Sequence, residues 1–443
     1  MLLLNASGCG LVLDVDLEDM RSDAGATVDA ATGDAGPYFD GDVTPPADAS
    51  RPDATRPDGE TPPLADCGGP SALSDGFDDT PDGELSPYWS VDPTAGDAIV
   101  VGGRLRVTPS GERTRVTAGA YSTFAYDARA DGVTAQVTHV SLSPGASTLV
   151  ALAHDAERYA AIAHYGGFLV PHVYDAGAMS MVPPLTYLAE HAWWRVRGDG
   201  AGDIVFEVSS TGGPTWNELG RLPAPRWLRT VSIGLGVYSD VTETSPDHGE
   251  FDQVNLDVGR VHASYCLAES FADAFDGPGA SVDSIQWYAP PGCTIVVEGG
   301  TLDIAGGTPL APCGIYTRHG YDLRSSEAWL ERRADILADD LVFAVADAAG
   351  MSAGASCTPT GVWFYSPSGS GGGGGVCPSF WRFEVLGDRF VFSTSSDATT
   401  WFAMTNLPAT GLDTTAMRIL IGVETADGIG GRARVAGYNT SAP

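Results

Sequence analysis

The sequence predicts an all-β chain: two tandem antiparallel modules behind a disordered N-terminal linker. Three observations carry this. First, the stretch Trp193 to Trp216, WWRVRGDGAGDIVFEVSSTGGPTW, returns as Phe380 to Trp401, FWRFEVLGDRFVFSTSSDATTW. In each, an aromatic pair precedes Arg195 or Arg382, a Gly-Asp turn follows, and a small polar turn delivers a Trp after a strand, Ile204–Ser209 or Arg389–Thr394. Alternating apolar residues around a Gly-Asp turn read as an antiparallel hairpin. Second, 56 Gly and 30 Pro favour turn-rich β structure and linker. Third, short strands bounded by turn residues follow one another, and neither module shows a long amphipathic helix.

Taken in order, residues 1–13 carry the first signal. MLLLNASGCG sets Ala6-Ser7-Gly8 directly before Cys9. This resembles the lipobox of bacterial lipoproteins, which implies diacylation of Cys9 and, with Gly10 rather than Asp next, sorting to the outer membrane. Only three Leu stand where a longer apolar segment is expected, no basic region precedes them, and Ala6 takes the usual Leu position. A start assigned too far downstream explains the first two departures; an incidental Cys is the alternative.

Residues 14–66 read as a disordered acidic linker rich in Asp, Ala and Pro. Fourteen acids against three Arg give a net charge of −11, with too little apolar surface to fold. As a flexible coil it spans roughly 40 Å, and more if polyproline-like. The whole chain has 443 residues, length for two or three domains, and a formal charge of −33, its 24 basic residues all being Arg. Such acidity excludes a nucleic-acid or anionic-membrane surface, which needs clustered cations. It suits an exported protein that meets divalent cations. No run of 18 apolar residues is present to span a bilayer as a helix.

The first module, 67–265, opens near Cys67. Phe77-Asp78-Asp79 leads to Trp89 and to a strand, a Gly102-Gly103 turn and a second strand through Leu105. The second, 266–443, opens near Cys266 and repeats the order: Phe275-Asp276, Trp287, then strand, Gly299-Gly300 and strand through Leu302. Tyr121 to Asp127 matches Tyr316 to Asp322. Landmarks this far apart mark duplicated domains and not solenoid repeats. Val133 to Val140 alternates as a half-buried strand. Tyr159–Tyr165 and Phe168–Tyr174 flank Gly166-Gly167 as a two-residue hairpin, so His164 faces Leu169 and His172 faces Ala161. Val231–Val237 and Ile419–Val423 read as buried strands, and Glu250 to Leu256 as the closing one.

An opening F-D-D, an early Trp, a G-G-x-L hairpin, W-R…F-E-x-S…W and a late F-D-x-V strand together resemble the concanavalin A-like lectin/glucanase superfamily, nearest its laminin-G-like jelly rolls. The order of landmarks carries the resemblance, over two copies. At its end the second copy departs, with Ala433-Arg-Val-Ala in place of Phe251-Asp-Gln-Val. The resemblance implies two stacked antiparallel sheets per module, a jelly-roll β-sandwich, with a face that binds glycans or proteins. It also raises calcium at a rim held by Asp and backbone oxygens, with Asp78, Asp79, Asp252 and Asp276 as nominees.

Beyond Cys9, six Cys remain in what reads as an exported protein. Cys293 and Cys313 bracket one hairpin-sized segment, and Cys357 and Cys377 another. We expect Cys293–Cys313 and Cys357–Cys377, each closing about 20 residues and contributing about 3 kcal/mol. Cys67–Cys266 follows by exclusion. No C-x-x-C or Cys/His spacing supports zinc.

Retaining glycoside hydrolysis needs paired carboxylates, which the superfamily carries as E-x-D-x-E. Glu250-Phe251-Asp252-Gln253-Val254 is the nearest match; it lacks the second Glu and falls on the closing strand. No G-x-S-x-G is present. His139, His154, His164 and His172 read as strand-surface residues, and Gly371–Gly375 as a flexible loop tip. Trp89/Trp287, Trp194/Trp381 and Trp216/Trp401 recur and read as core anchors. Trp193, Trp227 and Trp363 are present in one copy each, which makes them the candidate ligand-binding aromatics.

The expectation is therefore a surface-anchored binding or adhesion lipoprotein, not an enzyme, with glycans or extracellular proteins as partners and calcium as an open cofactor. A glycoside hydrolase of the same superfamily and a purely structural envelope protein are the rivals.

Overall fold

The computed structural model describes residues 67–440 except 113–115, 258–261, 277–281, 284–285, 291–292, 307–312, 325, 333–340, 359–360, 374–376 and 424–430. Cys9 and the linker lie outside the described residues.

In the first half of the described chain, two antiparallel sheets close over one apolar core. One sheet runs Trp89–Val91, Val116–Ser122, Ser232–Ser239, Ala146–Asp155, Arg158–Tyr165, Phe168–Asp175, with Leu185–Thr186 and Ala178–Met181 pairing onto the last. The other runs Asn217–Pro223, Asp203–Ser209, Trp193–Gly198, Gly132–His139, Gly249–Asp252, Leu105–Pro109, Gly96–Val100. The second half repeats this order. Trp287–Tyr288, Cys313–Thr317, Met417–Val423, Leu341–Asp347, Ser352–Thr358, Gly361–Ser366 and Gly369–Gly373 form one sheet. Facing it are Phe402–Pro408, Arg389–Ser395, Phe380–Leu386, Glu327–Arg332, Gly431–Tyr438, Leu302–Gly306 and Cys293–Val297. The chain is thus two antiparallel jelly-roll β-sandwiches in tandem.

Alternation builds the cores. Val133, Ala135 and Val137 point inward from one strand, and Trp194, Phe206 and Phe251 fill the centre beside them. Trp381, Phe343, Phe383 and Phe392 do the same in the second sandwich. Each fully buried aromatic or aliphatic side chain contributes about 1.5–3 kcal/mol relative to exposure. The Gly102-Gly103 and Gly299-Gly300 turns have positive φ throughout, at 60° and 73°, then 59° and 71°. That conformation suits two-residue hairpins and excludes most side chains.

Three expectations of the sequence are corrected here. The closing strand ends at Asp252 rather than Leu256, because Gln253 and Asn255 turn the backbone left-handed at φ 46° and 52°. Its counterpart of Phe251 is Val435, not Ala433: Phe251 pairs with Leu105, and Val435 with Leu302. The glycine run is no free loop tip, since Gly369–Gly373 pairs as a strand with Gly361–Ser366. Its lack of side chains leaves room for the Trp363 ring, which a Cβ on Gly372 would meet at 2.5 Å.

Each sandwich is fastened where its ends meet. Asn255 takes the Thr134 N–H on its Oδ1 at 2.8 Å and donates from Nδ2 to Pro70 and Leu73 carbonyls. Asn439 takes the Trp329 N–H at 2.7 Å and donates to Ala268 and Phe271 carbonyls. Disulfides join Cys67 to Cys266, Cys293 to Cys313 and Cys357 to Cys377. The first ties the start of one sandwich to the start of the other.

The two sandwiches also touch. Ala125 pairs with His319 in a parallel bridge, the Ala125 N–H donating to the Arg318 carbonyl at 3.0 Å. His319 Nδ1 meets the Ala125 carbonyl at 3.1 Å, Arg418 donates to the Thr123 carbonyl, and Tyr88 donates to Asp413. Burial pushes the His319 imidazole down to about 4, against the small upward pull of Asp127. Its folded pKa is below the ordinary value of about 6.5, so its contribution is complete above that and drains as pH falls toward 4. We expect the unfolding free energy to fall across that window by an amount on the order of 3 kcal/mol from His319 alone, and the melting temperature to fall with it. His319→Gln should flatten that part of the slope in a pH series of thermal melts; an unchanged slope would contradict the interface assignment.

Candidate functional site

The chemistry-bearing residues of the first sandwich gather around the strand Gly249–Asp252. This closing strand lies inside its sheet, between Gly132–His139 and Leu105–Pro109. Phe251 points into the core, so Glu250 and Asp252 share the opposite face. Arg106 stands directly across from Glu250 and donates to its Oε1 at 2.8 and 3.2 Å. Arg104 lies 3.8 Å from Glu250 and 3.9 Å from Asp252.

The two carboxyls are pushed apart. Burial works to raise Glu250, but the Arg106 hydrogen bond and charge outweigh it and hold the group below its ordinary range. Burial raises Asp252, and the Asp78 charge adds to it, against donation from the Gln253 N–H and the charge of Arg104. A carboxylate kept ionised beside one biased toward protonation is the pairing that acid–base chemistry uses.

At the head of the same strand, Asp247 and His248 meet His139 from the neighbouring one. His139 Nε2 lies 3.3 Å from both Asp247 oxygens, and His248 Nδ1 lies 3.2 Å from Asp247 Oδ1. The two imidazole rings are 4.7 Å apart. His248 Nε2 reaches Glu250 Oε1 at 3.3 Å. Burial works to raise Asp247, but N–H groups of Leu142 and His248, with His139 alongside, hold it low.

Next to this group, Ser141–Ala146 and His164–Gly167 line an open cavity of about 350 Å³. Leu142 and Ser143 belong to both features: the Leu142 N–H donates to Asp247 at 2.7 Å, and the Asp247 N–H donates to Ser143 Oγ at 2.9 Å. Two lining side chains, Ser141 and His164, carry buried polar atoms, Oγ and Nδ1, without a partner among the described residues. Leu142, Tyr165 and Phe168 stand exposed around it.

The nominated residues fare unevenly. Trp193 is buried at 6% exposure, closed over by Gly212, so it is no ligand platform. Trp227 is half-buried against the first core. Trp363 is 52% exposed on an outer strand face. Trp216 and Trp401 are not core anchors: they lie under the guanidinium groups of Arg195 and Arg382, at 4.0 and 4.5 Å. The four calcium nominees do not form one ligand cluster, although Asp78 stands near enough to Asp252 for its charge to be felt. Asp78 and Asp79 are exposed, Asp252 is held by Arg104, and Asp276 belongs to the opening of the second sandwich. Among the described residues the metal-competent group is instead His139, Asp247 and His248.

The four histidines singled out in the sequence are likewise dispersed. His154 bonds the Thr230 carbonyl, His172 the Val170 carbonyl, and His164 packs on Tyr187. The partner of His139 is His248, which sequence reasoning passed over. Its signal was its place two residues before Glu250, on the same alternating face.

No protein-family model and no curated protein sequence matches the chain. Solved structures similar to it include a pseudo β-1,3-glucanase and immunostimulatory antigen of Mycobacterium tuberculosis, at 15% identity and TM-score 0.28, covering 38% of this chain and 96% of that one. A family 16 glycoside hydrolase endo-glucanase from Bacteroides ovatus shows 10% identity and TM-score 0.28, covering 38% and 98%. A glycoside hydrolase family protein from Mycobacterium thermorestibile shows 16% and 0.29, covering 38% and 98%. The non-enzyme reading of the sequence is not upheld: the similar structures carry glycoside hydrolase names, one of them that of a pseudo-glucanase.

Proposed function

We propose that this chain is a glycan-directed protein of the bacterial envelope, built from two copies of one jelly-roll module. The observation that carries the reading is the cavity at Ser141–Ala146 and His164–Gly167. It joins exposed Tyr165 and Leu142 to Ser141 and His164, whose buried Oγ and Nδ1 have no partner among the described residues. Sugars offer what such a rim takes: an apolar ring face for the exposed aromatic. Trp363, half-exposed beside glycines of the second sandwich, is a second platform of the same chemistry. A catalytic version of this reading rests on Glu250 and Asp252. In that version Glu250, held by Arg106, would be the ionised carboxylate, and Asp252 on the same strand face would be its acid partner.

Affinity electrophoresis of the full chain through β-1,3-glucan, mixed-linkage β-glucan and unrelated polysaccharides tests both versions. We expect retardation by at least one polysaccharide. Tyr165→Ala or Trp363→Ala should weaken it about fivefold each, the worth of one aromatic stack. If reducing ends also appear, Glu250→Gln should abolish them while retardation persists. No retardation and no reducing ends across the panel would contradict the proposal.

Anchoring is the second part. Cys9 would carry the lipid, and the acidic stretch 14–66 would hold the sandwiches off the membrane by self-repulsion. Metabolic labelling with a palmitate analogue should mark the precursor and not its Cys9→Ser form. Equal labelling of the two would rule the anchor out.

A further inference from the structure

We propose that His139, Asp247 and His248 form a binding site for one divalent transition-metal ion of the zinc class. The argument begins with spacing. A metal held at about 2.0–2.1 Å by tetrahedrally disposed nitrogen and oxygen atoms places those atoms roughly 3.3 Å apart. The carboxylate of Asp247 stands 3.3 Å from His139 Nε2 and 3.2 Å from His248 Nδ1. All three donors lie within 4.8 Å of one another.

The surroundings are those of a ligand set. A metal-bound imidazole usually donates its other N–H to a carboxylate or carbonyl, which fixes the tautomer and aims the free lone pair. His248 Nε2 faces Glu250 Oε1 at 3.3 Å, and Arg106 holds that carboxylate in turn. This leaves His248 Nδ1 directed at the position shared with Asp247. The Leu142 N–H fixes the other Asp247 oxygen at 2.7 Å.

Donor type selects the ion. Two imidazoles and one carboxylate favour zinc, copper, nickel or iron over calcium or magnesium, which take oxygen donors. Three protein ligands leave a fourth position for water or for a ligand oxygen, the arrangement of open rather than structural sites. The side chains are 28–35% exposed, so an ion has access. The site borders the cavity through Leu142 and Ser143.

Calorimetric titration of the tag-free full chain with Zn²⁺, under excess Ca²⁺, tests this. We expect one equivalent bound at this site. His139→Ala with His248→Ala should remove it, and Glu250→Gln should weaken it about 10–100-fold. Circular dichroism melts check that each variant is folded. X-ray absorption on the unmutated zinc-loaded chain should show two imidazoles in the coordination sphere, which keeps the proposal testable if a variant unfolds. Zinc retained in full by the double variant, a zinc sphere without imidazole, displacement by calcium, or no zinc bound at all would each overturn it.

Discussion

Each sandwich depends on a side chain that finishes what the backbone cannot. At Asn255 and Asn439 the chain turns left-handed, at φ 52° and 46°, and leaves the sheet. Backbone groups of the opening segment and of a sheet strand would then lie buried and unpaired, at about 1–3 kcal/mol each. The asparagine amide satisfies three of them at once, one acceptor and two donors in use. An aspartate completes the fastening. Asp75 accepts from the Phe77 N–H and Trp89 Nε1, and Asp273 accepts from the Phe275 N–H and Trp287 Nε1. The opening segment thereby becomes a lid on the core, and the closing strand is pinned in register. Glu250, Asp252 and His248 lie on or beside that strand, so the site inherits its position from the latch.

Local patterns were legible in the sequence because they are short-range. The Gly166-Gly167 hairpin appears with His164 opposite Leu169 and His172 opposite Ala161, as alternation and turn chemistry require. The same holds for the Gly-Gly hairpins and for Trp194 and Trp381 at the core centres. What stayed hidden depends on chain separation. Asn255 reaches residues 121 to 185 positions away, and nothing local marks an Asn as a fastener. His139 and Asp247 meet across 108 positions for the same reason.

The aromatic residues show where pattern misleads. Recurrence of Trp216 and Trp401 pointed to a core role, yet their place is on the outer face beneath an arginine. A ring and a guanidinium stack well at a partly wet surface, and a repeated pair of this kind recurs as a unit. Trp193, read as free for a ligand, is covered because the turn after its partner strand carries Gly212 at φ 64°, which lets the backbone close over the ring. Acidity is the last constraint. A chain at −33 spends many of its 24 arginines neutralising carboxylates on the sheet faces, as with Arg106 on Glu250 and Arg195 and Arg197 on Glu207.

Native-state hydrogen exchange at the latch amides tests this account most directly. The Thr134 and Trp329 N–H groups, held by Asn255 and Asn439, should exchange only through global unfolding of their sandwich, as slowly as central strand amides. Asn255→Ala and Asn439→Ala should bring each into fast local exchange in its own sandwich alone. Rapid exchange at both amides in the unaltered protein, or variants that exchange no faster, would contradict the claim that these asparagines close the fold.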